Sequence, residues 1–219
     1  VSEKPGLRLQ SIFDEGHYIH AKWQKWLQEM GVLYGNFKCD VCDKMTWGLS
    51  PKACEHCGAP EHKLVYAEVT MRDDALKIKG HTDGWVKDSK GDVLIEIKSV
   101  GPGTIRGDAP ELLMEHDNDL AKAFNNIKRP FAAHLMQGQM YLELMKRMGH
   151  EVEGIIFLYE LKMDQGYKEF PMVKADFEIV RHVFEKSEAV VAAVKANAAP
   201  ACNNNPGGTC KQCDPYKED

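Results

Sequence analysis

Asp83, Glu96 and Lys98 lie within the stretch GHTDGWVKDSKGDVLIEIK, Gly80 to Lys98, and could together do phosphoryl chemistry. The runs LKIKGHTDGWV and DVLIEIKSV are strand-like, and KDSKGD between them is rich in turn formers, so the stretch reads as a β-hairpin. Pairing of Asp88 with Gly91 sets Asp83 opposite Glu96, and strand alternation puts Glu96 and Lys98 on one face. A bulged turn over residues 89–91 would instead shift the two acids apart by one residue. Two carboxylates and an ammonium in one small volume are costly to bury without a counter-charge, and a divalent cation held by oxygen ligands supplies one. The same residues also suit a solvated hairpin face carrying a salt bridge.

The elements that must position these groups flank the hairpin. Leu9, Ile12, Phe13, Ile19, Trp23, Trp26, Leu27 and Met30 recur at intervals of three and four, which predicts an amphipathic helix from Leu7 to Met30, stopped by Gly31. Gly16 weakens such a helix, so a close approach to the sheet is expected there. His20 stands one turn on, on the same face, either as a further metal ligand or as a surface histidine. Residues 63–71, KLVYAEVTM, predict a strand leading into the hairpin, with Glu68 as an edge charge. The segment after Lys98 is rich in Gly, Pro and acids and reads as a loop with a short helix. A second helix, bracketed by Pro130 and Gly149, carries His134, Gln137 and Tyr141 along one stripe. Lys122, Lys128, Arg129, Lys146 and Arg147 cluster around this segment and could neutralise a phosphate backbone. Strands over 153–161 and 167–173 and a helix over 175–196 complete an α/β chain with a mixed sheet flanked by helices.

Cys39-x-x-Cys42 and Cys54-x-x-Cys57, eleven residues apart, have the spacing of a four-thiolate structural zinc site. A redox dithiol or disulfides would also use such pairs. The module is read as residues 36–60 inserted into a core of 1–35 and 61–200, acting as a staple or as a grip on DNA or a partner. A tail, 201–219, holds Cys202, Cys210 and Cys213.

Taken together, Gly16-x-x-x-His20, Gly80-x-x-Asp83, Glu96-x-Lys98 and Gln137-x-x-x-Tyr141 resemble, in that order, the motifs of RecB-like nucleases of the PD-(D/E)XK superfamily, such as small phage and CRISPR-associated exonucleases. The resemblance covers about residues 12–170 and implies a restriction-endonuclease-like fold. It further implies Mg2+ or Mn2+ held by His20, Asp83, Glu96 and the Ile97 carbonyl, with Lys98 positioning the water and His134, Gln137 and Tyr141 contacting substrate. DNA, as single strands or duplex ends, and a recombination or replication protein are the implied partners. Some such nucleases bind an iron-sulfur cluster through three C-terminal cysteines and one near the N-terminus. Here the tail spacing is C-x7-C-x2-C and no cysteine precedes Cys39. An iron-sulfur cluster or second zinc ion there would need a noncysteine ligand or a shared finger cysteine, and a loose group of thiols is the alternative.

The 219 residues, 43% hydrophobic, suffice for one good core with a small appendage. With 28 Lys and Arg against 33 Asp and Glu, the net charge of −5 gives no global basic footprint, so a nucleic-acid protein of this composition needs local basic surface. Neither a long apolar run nor a signal-peptide pattern is present, which points to a cytoplasmic setting in a bacterial or phage-infected cell. A zinc-containing binding module on a degenerate nuclease scaffold is the rival reading.

Overall fold

The computed structural model describes residues 6–89 and 91–198, and the three tail cysteines lie outside that range. It is a mixed α/β structure in which several sheets are flanked by helices. Helix α1 (Leu7–Glu29) is followed by β1 (Tyr34–Cys39), β2 (Met45–Leu49), β3 (Leu64–Ala67), β4 (Val69–Asp73), β5 (Ile78–Thr82), β6 (Gly84–Asp88) and β7 (Gly91–Val100). Four helices come next, α2 (Pro102–Asp108), α3 (Pro110–Glu115), α4 (Leu120–Asn126) and α5 (Ala132–Arg147). Strands β8 (Gly154–Leu161) and β9 (Tyr167–Glu169) and helix α6 (Arg181–Lys195) close the order.

The largest sheet runs β6-β7-β8-β9. Its β6-β7 hairpin pairs Asp88 with Gly91 and Gly84 with Ile95, the register that carries Asp83 to the level of Glu96. β7 and β8 are parallel, as a crossover through α2–α5 requires. α1 covers one face of this sheet: Ile19 is buried against Ile97 and Leu158, with Trp23 beside them. α5 covers the other at close range, since a Cβ on Gly138 would lie 2.5 Å from Phe157 Cζ. Gly16 does what its position suggests, with Ser99 Oγ only 3.2 Å from where its Cβ would stand.

Several expectations change. The run 63–71 is two strands: β3 joins β1 and β2 in a three-stranded sheet, while β4 pairs with β5 as a separate ribbon. The cysteine module is therefore wider than 36–60, its sheet extending from Tyr34 to Ala67. The physical reason is that two zinc-knuckle turns leave β1 with an unpaired edge, which Leu64 to Ala67 complete. Of the stripe on α1 only Ile19, Trp23 and Leu27 are covered, while Trp26 and Met30 are exposed. Leu9, Ile12 and Phe13 are exposed because the helix overhangs the end of β7, where Gly16 meets Ser99. The Gly- and Pro-rich segment after β7 is three short helices, two begun by proline and the third capped by the Asp119 side chain, which accepts from Lys122 N at 3.0 Å. Lys168 of β9 donates to the carbonyls of Asn125 and Ile127 at 2.6 and 2.8 Å, satisfying the end of α4. No helix among the described residues is long and apolar enough to cross a membrane.

Candidate active site

Asp83 occupies the bend between β5 and β6, where the chain leaves its pairing with β4 and takes up pairing with β7. Thr82 anchors the bend, its hydroxyl donating to the Gly84 carbonyl at 3.0 Å. Asp83 is thereby free to bridge elements: Oδ2 accepts from the Ile97 amide at 2.7 Å, and Oδ1 lies 3.1 Å from His20 Nδ1. Gln24, one turn beyond His20, donates to the Asp83 carbonyl at 2.8 Å. The Ile97 amide thus fixes one carboxylate oxygen of Asp83 to the strand that carries Glu96 and Lys98.

Glu96 and Lys98 share the face of β7 turned toward α5. Lys98 Nζ sits 2.6 Å from Glu96 Oε1 and 2.8 Å from Gln137 Oε1, and Gln137 Nε2 donates to Tyr141 Oη at 2.7 Å. Tyr141 can lie this close to β5 because residue 80 is glycine: a Cβ there would be 2.5 Å from the ring. The other oxygen of Glu96 is buried with no hydrogen-bond partner. Burial, and then the charge of Asp83, raises the Glu96 pKa to about 7 despite Lys98.

A metal-capable trio is formed by His20, Glu68 and Asp83, whose ligand atoms lie within 4.8 Å of one another. Glu68, which the sequence reads as an edge charge, is exposed as that reading expects and yet belongs to the trio. It stands in the break between β3 and β4, directly before Val69, which pairs with Thr82, so the same register brings it level with Asp83. Burial and the charge of Asp83 raise its pKa. Glu96 is not one of that trio; one of its oxygens meets Lys98 and the other is unpartnered. His20 also has a raised pKa: burial works against the charged form, but its bond to Asp83 and the surrounding carboxylates outweigh it.

His134 shares the α5 stripe but has a different partner. Gln137 and Tyr141 join Lys98, whereas His134 Nδ1 is hydrogen-bonded to the Tyr159 hydroxyl, which also accepts from the Phe131 amide at 2.9 Å. Burial and the positive charge of Lys98 hold the imidazole down to about 4, so it is neutral at ordinary pH. Arg147 is likewise engaged elsewhere, at 2.7 Å from Glu143 and 3.2 Å from Asp73.

The second cluster is the four cysteines. Cys39 Sγ is 3.7 Å from Cys57 Sγ and Cys42 Sγ is 3.6 Å from Cys54 Sγ. Zinc-sulfur bonds of about 2.3 Å at tetrahedral angles give sulfur-sulfur edges of about 3.8 Å, whereas a disulfide needs about 2.05 Å. Two tight turns present the thiols: Asp43 N bonds to Cys39 O and Gly58 N to Cys54 O, each at 2.9 Å, with Asp43 and Gly58 at positive φ. Four closely spaced cysteines placed in this way can bind a zinc ion.

No family model and no curated protein matches the chain. Among solved structures it is similar to the crystal structure of SSO0001, at 18% identity and a TM-score of 0.35, with 86% of this chain covered. The match spans 62% of that structure's chain, less than two thirds of its length.

Proposed function

We propose that the protein is a metal-dependent nuclease, an exonuclease acting on DNA ends or single strands, built on a restriction-endonuclease-like core with an inserted zinc-ribbon module. The observation that carries this reading is Glu96: a carboxylate 2% exposed, with one oxygen lacking a donor and Asp83 close enough to raise its pKa. A buried acid without a partner beside a second acid is a defect in a purely structural network and an asset where a cation must be held.

The residues that would hold Mg2+ or Mn2+ are His20, Asp83 and Glu96, with Glu68 within reach of the first two. The hard oxygen set with one imidazole suits such ions. When bound, they polarise the scissile phosphate and neutralise charge on the leaving oxygen. Lys98, fixed between Glu96 and Gln137, orients the attacking water, and its ammonium also balances the approaching phosphate. Tyr141 keeps Gln137 in place, and Gln24 and the Ile97 amide hold Asp83 in its bent position. The four cysteines hold zinc as a structural staple.

The test is hydrolysis of labelled single-stranded and duplex DNA, with an RNA of the same sequence alongside, in Mg2+, Mn2+ or EDTA. The wild type is expected to cut DNA only with added metal, and Asp83→Asn, Glu96→Gln and Lys98→Met to lose at least about 100-fold in rate while keeping the wild-type circular dichroism spectrum. Wild-type rates in all three variants would end the nuclease reading. A wild type that retains DNA in EDTA and leaves it intact in Mn2+ would mark a binding module instead.

A further inference from the structure

The β4-β5 ribbon pairs Thr70 with His81 and Arg72 with Lys79, and Val69 with Thr82. One step further in that register Glu68 meets Asp83, and alternation puts Glu68, Thr70 and Arg72 on one face with Asp83, His81 and Lys79. Val69 and Met71 point the other way and are buried. The outward face is therefore a ladder of three rungs. The first, Glu68 and Asp83, belongs to the metal-capable trio. The second and third, Thr70 with His81 and Arg72 with Lys79, are exposed and basic.

We infer that this face is the track for the nucleic-acid backbone, holding the phosphates that neighbour the scissile one. The inference rests on the nuclease reading of the first rung and adds the path of the substrate to it. Successive rungs advance about 7 Å, so the cations lie within about 14 Å of the acids. Charge complementarity is local: the whole chain is acidic at −5, while the rungs leading away from the acids carry a guanidinium, an ammonium and an imidazole. Arg72 Nε is 3.4 Å from Asp74, a pair with both side chains mostly exposed and therefore easily exchanged for a phosphate. His81 Nδ1 lies 3.2 Å from Thr70 Oγ1, and in the tautomer that accepts from the Thr hydroxyl Nε2–H is left for a phosphate oxygen. Such contacts position a strand without reading its sequence.

The experiment measures binding of a fluorescein-labelled oligothymidylate by anisotropy across a salt series, in EDTA and in Mn2+, on the Glu96→Gln background. Arg72→Ala/Lys79→Ala is compared with Lys174→Ala/Lys186→Ala, which removes the same charge from exposed positions elsewhere. The ladder pair is expected to weaken binding roughly tenfold at low salt and to lower the log-log salt slope by about 1.4, with the control pair unchanged. Both pairs should melt like the parent, since all four side chains are exposed. Equal affinity and slope for the ladder pair and the parent would overturn the track. Failure of the nuclease reading has a different signature: a wild type that never cuts, with binding still sensitive to Arg72 and Lys79.

Discussion

Glu96 binds its proton more tightly in the folded chain than an exposed glutamate does, because burial and the charge of Asp83 both disfavour the anion. Linkage fixes the sign. The folded state holds the extra proton between the ordinary value of 4.5 and about 7, so this group's contribution to stability is present below that window and lost as pH rises through it. In EDTA, the stability of wild type relative to Glu96→Gln should therefore fall between pH 5 and pH 8, and Mn2+ should restore it at the upper end. Urea titrations of both proteins at several pH values check this, and parallel curves would contradict it. Glu96 and Lys98 were legible in the sequence because their separation is a strand period and the register follows from a two-residue turn. Glu68 was not, because nothing local marks a break between Ala67 and Val69. An acid on a strand edge ordinarily belongs to solvent, and its meeting with Asp83 depends on a pairing between β4 and β5.

The same limit acts on whole elements. KLVYAEVTM has the pattern of one strand, yet its halves join different sheets, since β1 needs a partner that two cysteine turns cannot supply. The cysteine spacing, in contrast, was readable because each knuckle is built within four residues. Cys54 illustrates the local chemistry: burial raises its pKa, but amides of His56 and Cys57 and the Thr46 hydroxyl bring it to about 6, suited to a metal thiolate. For Cys57 the Ala59 amide works to lower the pKa, but burial and the neighbouring sulfurs push it up to about 12. Cys39→Ser should release about one zinc ion per chain by elemental analysis and make the segment 34–67 the first site of trypsin cleavage. Undiminished zinc content would show that the metal sits elsewhere.

At the level of the whole molecule, the acids and the lysine are assembled from parts far apart in sequence. α1 brings His20 to one side of β7, α5 brings Gln137 and Tyr141 to the other, and the bend at Asp83 ties the two. The order of helix, strands, helix, strands and helix was legible as an α/β pattern with a mixed sheet; the parallel pairing of β7 with β8 was not. The overhang of α1 was not, because periodicity gives a face but not the length of sheet beneath it. The net negative charge argues against a nucleic-acid partner in bulk, and the proposal needs only the local positive groups on the β4-β5 ribbon, Arg72 and Lys79. The proposed chemistry requires a cation held where those parts meet. Anomalous diffraction from crystals soaked in Mn2+ tests it most directly: a manganese peak bonded to both Asp83 and Glu96 is the predicted result, and a map with no peak at those carboxylates would contradict the account.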